Sequence, residues 1–125
     1  MIDFDNASFV KLSMVSNDSY SAQMEPLLIE GENIISTYKG IRDGVVFTNK
    51  RIIAINVQGV TGKKKDFTSM PYSKIQVYSV ETSGVFDLDS ELEIWFSGVG
   101  CVKFEFTSNS DVSKICKLIS NYTLK

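Results

Sequence analysis

The chain has 125 residues, a formal net charge of −2, and hydrophobic and charged fractions of 43% and 22%, the make-up of one ordinary globular domain with a single core. It has no histidine, and its two cysteines, Cys101 and Cys116, form no CxxC pair; the commonest general base and metal ligand is missing, and the thiols read as reduced rather than zinc-bound. The N-terminus lacks a basic and then apolar leader, and no apolar run approaches the ~20 residues of a membrane-spanning helix, so a soluble cytoplasmic protein is expected.

Residues 1–32 are expected to form a helical or irregular N-terminal extension. In "DSYSAQMEPLLIEG", Tyr20, Met24, Leu27 and Leu28 fall near helical spacing, with Asp18 as a start signal and Gly31 as a stop. Pro26 would kink or split that helix.

From Asn33 the period changes to two. "NIISTY", "IRDGVVFT", "RIIAINV", "KKDFTSM", "IQVYSVET", "ELEIWF" and "CVKFEF" read as successive strands separated by turn residues. Leu92, Ile94 and Phe96 should face inward, with Trp95 outward between acids. Val102, Phe104 and Phe106 should also face inward. In "SDVSKICKLISNY", Val112, Ile115, Cys116, Ile119 and Tyr122 recur at helical spacing, which predicts a helix over 110–122 with Ser110 as its cap. The pattern is a seven-stranded meander closed by one terminal helix, a small barrel or bent sandwich.

Charge is unevenly spread. Residues 1–38 carry −5, residues 39–65 carry +6 and residues 66–125 carry −3. The basic block contains "GVTGKKKD". A Walker A loop needs four residues between its glycine and Gly-Lys, then Ser or Thr and a helix; only Val60 and Thr61 intervene here, Lys64 takes the hydroxyl position, and a strand follows. A KH-type GxxG loop lies between helices, not strands. No nucleic-acid partner is expected. Gly59 and Gly62 are expected to permit a sharp turn, with Lys63, Lys64 and Lys65 solvated beside it and no aliphatic tip next to them.

"FDLDSELE" begins like an EF-hand loop but carries Leu92 where Gly is needed and Gly98 where Glu is needed. Asp87 and Asp89 read as turn residues. No Ser-His, Cys-His or paired-carboxylate arrangement appears, so neither an enzyme nor a cofactor is expected.

The strands around "VVF" and "RII" are apolar on both faces. Val45 and Phe47 oppose Val46; Ile53, Ile55 and Val57 oppose Ile52 and Ala54. Such strands need cover on both sides, from the N-terminal segment or from a second subunit. Val46, Ile52 and the outward Trp95 are therefore the candidate self-association residues.

"LLIEGENI", "YKGIRDGVVFTNKRII", "QGVTGKKKDFTSMPYSKI" and "VETSGVFDLDSELEIWFSG" together resemble the bacterial pleckstrin-homology-like (PH-like) family of small single-domain proteins. The resemblance implies that residues 33–125 form a mainly β, strongly bent seven-stranded antiparallel barrel capped by the C-terminal helix. It also implies a binding or assembly module without catalytic residues, associated with ring-like homo-oligomers. Lipid-binding relatives use a long basic loop between the first two strands, where this chain has the short "KG" turn. Any contact with anionic lipid would have to use Lys39, Arg42, Lys50, Arg51, Lys63, Lys64 and Lys65. The expected function is thus a self-associating module, with an anionic-lipid-binding peripheral membrane domain as the alternative.

Overall fold

The computed structural model describes residues 1–82, 89–107 and 110–124. The element order is β1 (Ala7–Val15), α1 (Ser21–Met24), β2 (Ile34–Lys39), β3 (Gly44–Thr48), β4 (Arg51–Gln58), β5 (Lys64–Pro71), a 3-10 turn (Tyr72–Lys74), β6 (Ile75–Thr82), β7 (Asp89–Phe96), β8 (Gly100–Thr107) and α2 (Val112–Thr123). The expected Ser83-Gly84 break and the turn around Asp87 lie outside the described residues. No helix among the described residues is long and apolar enough to cross a membrane.

All the strands expected after Asn33 are present. The β3 strand starts at Gly44 rather than Ile41, because Gly40–Asp43 is spent on a turn closed by the Gly40 N–H donating to the Asp43 carbonyl at 2.7 Å. The sheet has eight strands, not seven, in the order β5-β4-β3-β2-β1-β8-β7-β6. The additional strand comes from the N-terminal extension expected to be helical or irregular. It runs antiparallel to β2, pairing Ser13 with Lys39, and parallel to β8, pairing Ala7 with Val102 and Leu12 with Phe106. The sheet is therefore antiparallel except at this seam. Its register shifts between Phe9 and Leu12, where Lys11 takes φ 53. This bulge inserts a residue, so the inward pair Phe9 and Leu12 is spaced by three and the alternation of a strand is lost.

The concave side of the sheet holds the main core. Tyr38 meets Phe106 edge-on at 5.0 Å and Phe47 at 5.8 Å, and Leu92, Ile94, Val102 and Phe104 are fully buried there. This is the inward set that the alternation of β7 and β8 predicts. The α2 helix closes the core through Ile115 and Ile119, and Tyr122 stacks on Tyr72 of the 3-10 turn at 5.0 Å. Its N-cap is Asp111 rather than Ser110: the Asp111 carboxylate accepts from the Lys114 N–H at 3.2 Å, the bond a helix start needs for one of its free donors.

A second, smaller core covers the outer face of β3 and β4. Val46, Ile53 and Ile55 pack there under Tyr20 and Met24, with Leu28, Ile34 and Phe67 at the margin. Burying each of the three aliphatic side chains stabilises by roughly 1.5–3 kcal/mol. The helix that carries this cover is one short turn, and Asp18 does not cap it; its N-cap is Tyr20, without a side-chain bond. Gly44 allows the close approach: a Cβ there would run into the Tyr20 hydroxyl and ring.

Candidate functional site

The basic block does not converge on one surface. Arg51 opens β4 and Gln58 ends it, so the two ends of that strand are about 23 Å apart at 3.3 Å per residue. Lys50 and Arg51 lie at one end. Lys39, Arg42, Lys63 and Lys64 lie at the other, where the β2–β3 and β4–β5 turns meet.

At the first end Arg51 is a structural residue. Its Nε donates to Glu32 Oε2 at 2.9 Å and its Nη2 to Glu32 Oε1 at 3.0 Å, a two-pronged pair of the strong kind. Nη2 also donates to the Leu27 carbonyl at 2.7 Å, and Nη1 to Ser69 Oγ at 2.9 Å. The Glu32 side chain is fully buried. It further accepts from Thr48 Oγ1 at 2.7 Å and from the Ile29 N–H at 3.1 Å. Burial pushes the Glu32 carboxyl up, but the bonds from Arg51, Thr48 and Ile29 outweigh it and hold the group below the usual carboxylate range. With its three kinds of nitrogen engaged, Arg51 is withdrawn from the set of contacts open to an anionic partner. Lys50 remains exposed beside it.

At the other end the two turns are tied together. Arg42 Nη2 donates to the Gly59 carbonyl at 2.6 Å, and Asp43 Oδ1 accepts from the Val57 N–H at 2.9 Å. Gly59 and Gly62 take φ 78 and 69, the left-handed conformation expected of them. The joined turns carry two bare aliphatic tips, Ile41 at 89% exposure and Val60 at 105%. Lys39, Arg42, Lys63 and Lys64 are exposed around them, while Lys65 is half-buried. The expectation that no aliphatic tip accompanies the lysines is thus overturned. Val60 was visible as an aliphatic residue between the turn glycines Gly59 and Gly62, whereas Ile41 was hidden by its assignment to the strand "IRDGVVFT".

The self-association residues separate in the same way. Val46 and Ile52 are both fully buried, Val46 in the outer core and Ile52 in the main one. They offer no surface to a partner, because the N-terminal segment and the curvature of the sheet cover both faces. Trp95 is outward and 45% exposed. It pairs with Val77 on β6 and with Cys101 on β8, and Val77 is 55% exposed. The strip runs to the terminal strand of the sheet, and sequence reading missed Val77 because β6 was assigned no faces.

The described residues contain no group of three or more His, Cys, Asp or Glu that could hold a metal ion.

Comparison with known proteins agrees with this architecture. The family model for the bacterial PH domain matches residues 3–123. The Bacillus subtilis protein YjqA is 42% identical over 110 residues, covering 86% of this chain and 88% of YjqA. YozO, from the same organism, is 32% identical over 108 residues, covering 86% and 93%. A crystal structure of a protein with a pleckstrin-homology domain from Shewanella loihica superposes with a TM-score of 0.80 at 40% identity, over 92% of this chain and 99% of that one. A pleckstrin homology domain from Shewanella amazonensis gives 0.68 at 42% identity, over 89% and 90%. The chain belongs to the bacterial PH domain family.

Proposed function

We propose that this PH-like domain is a non-catalytic binding and assembly module that associates with further copies of itself through the outer strip of β6, β7 and β8. One observation carries this reading. Val77 and Trp95, two large apolar side chains more than two-fifths exposed, face each other across the last two strands of an open sheet. Apolar strips beside an unpaired strand edge favour pairing with another chain. Identical chains are the simplest partner, and a head-to-tail contact that closes gives a ring. Light scattering tests it. The mass should be a multiple of the 14.0 kDa chain, and Trp95→Glu with Val77→Asp should lower it to that of one chain. A single-chain mass for the unaltered protein at high micromolar concentration refutes the reading.

A second reading is favoured by the aliphatic tips. Ile41 and Val60 beside Lys39, Arg42, Lys63 and Lys64 have the composition of a peripheral contact with an anionic membrane. Each lysine or arginine near such a surface adds about 1 kcal/mol. The turn between β2 and β3 spans four residues, too few for an enclosing headgroup loop, so the contact would be general rather than specific for one inositol phosphate. Sedimentation with phosphatidylglycerol vesicles should show salt-sensitive binding that Val60→Asp weakens. Equal binding to neutral vesicles would count against it.

A further inference from the structure

The edge strands β5 and β6 do not pair, and a cavity of about 500 Å³ lies between the end of β5, the 3-10 turn and the turn joining β7 to β8, within the size range of small-molecule sites. Met70 and Phe96 are buried walls at 2% and 8% exposure. Phe4 packs edge-on to Phe96 at 5.9 Å and is anchored by its carbonyl, which accepts from the Cys101 N–H at 3.0 Å. Met1, Pro71 and Val99 add to the apolar part of the lining, and Lys74 is the one charged side chain on it; the Met1 ammonium, also at the wall, is already paired with Asp66 at 2.7 Å. Lys74 has no ion-pair partner among the described residues. The hydroxyl of Ser69, also on the wall, accepts from Arg51, and no Asp or Glu is among the residues that line the cavity.

We propose that this cavity binds a single-chain amphiphile with a carboxylate head, of the medium-chain fatty acid class. The alkyl chain would lie against Phe4, Met70 and Phe96, and the head would meet Lys74. A single lysine matches a monoanion, whereas a phosphate dianion would keep half its charge unpaired. The Thr68 and Ser69 hydroxyls on the wall are already bonded to Asp66 and Arg51, so this mostly apolar lining offers a sugar or nucleotide body few groups to bond with. The site is separate from the Val77–Trp95 strip and from the aliphatic tips, and does not depend on either reading of them.

Calorimetric titration of the full chain with hexanoate, octanoate and decanoate, below their micelle concentrations, tests the proposal. Decanol serves as the uncharged comparison. Saturable one-to-one binding should tighten about fourfold per added methylene until the cavity is full. Methyl resonances of Met70 and Val99 should shift on binding. Lys74→Glu, at an exposed position that should not disturb folding, should weaken decanoate at least tenfold and leave decanol unchanged. Ser97→Trp, at the mouth, should weaken both. No saturable binding of any of these acids overturns the proposal. So does an undiminished affinity in Lys74→Glu, an equal loss for decanol, or a set of shifts confined to Ile41 and Val60.

Discussion

The two ends of β4 carry the same chemistry and use it differently. Arg51 at one end has Nε, Nη1 and Nη2 engaged with protein oxygens and faces a fully buried carboxylate. Arg42 at the other donates one bond to a backbone carbonyl and is otherwise exposed. The difference lies in the partner, not the arginine. Glu32 arrives from outside the strand pair and converts a surface cation into a clamp joining the N-terminal segment, the β3–β4 turn and β5. A block of like charges in a sequence therefore describes no surface until each member's partner is known.

Removing the clamp should have the largest effect. Arg51→Ala leaves the Glu32 carboxylate buried without its counter-ion, which should cost about 3 kcal/mol, read from urea unfolding. Replacing Arg42 in the same way should cost under about 0.5 kcal/mol, as at most exposed positions. Equal losses would remove the distinction between the two ends.

The cover over the outer core gives the next largest effect. Gly44→Ala pushes a methyl into the Tyr20 hydroxyl and ring, an overpacking that should cost about 2 kcal/mol. The Tyr20 hydroxyl is buried without a hydrogen-bond partner. Tyr20→Phe should therefore leave stability level or raise it, and should recover part of the Gly44→Ala loss. An additive double variant would show that the hydroxyl is not the obstacle.

Acid titration sharpens the comparison further. The folded-state pKa of Glu32 lies below its ordinary value, so the clamp's contribution is fully present above the unfolded pKa of about 4.3 and is lost as pH falls through the folded pKa. Asp66 is lowered too, chiefly by its hydrogen bond from the Met1 ammonium, and titrates with the same sign. The telling quantity is the difference between the unaltered chain and Glu32→Gln: stability should fall less steeply with acid in the variant. Parallel curves would mean that Glu32 is not the titrating group. Smallest of all, Lys63→Gln, Lys64→Gln and Lys65→Gln together should change stability within about 0.5 kcal/mol.

The fold after Asn33 was legible because β7 and β8 alternate cleanly, β3 and β4 are short apolar runs of strand length, and turn residues separate them. Leu92, Ile94, Phe96, Val102, Phe104 and Phe106 face inward as the alternation requires. The first strand was not legible because the bulge at Lys11 moves two inward residues three apart. The candidate surfaces were read less well. Trp95 stands outward as its strand predicts, but Val46 and Ile52 have the same apolar character as true interface residues. Their cover comes from Tyr20 and Met24 in one case and from sheet curvature in the other, and neither is a property of the strand itself. Arg51 was misread for the same reason: its partner Glu32 lies nineteen positions away, beyond any local pattern.

The seam between β1 and β8 bears on how the chain reaches this state. Ala7 registers with Val102 and Leu12 with Phe106, so the first strand of the sheet finds one neighbour only in the last. The four strands from β2 to β5 are linked by turns of a few residues and can zip as successive hairpins within microseconds. The seam must wait for nearly the whole domain, and its loop-closure entropy is met before any contact repays it. During synthesis β1 leaves the ribosome with one edge bare until β8 follows. The bulge at Lys11 twists that waiting edge, a device by which proteins discourage a wrong strand from pairing there.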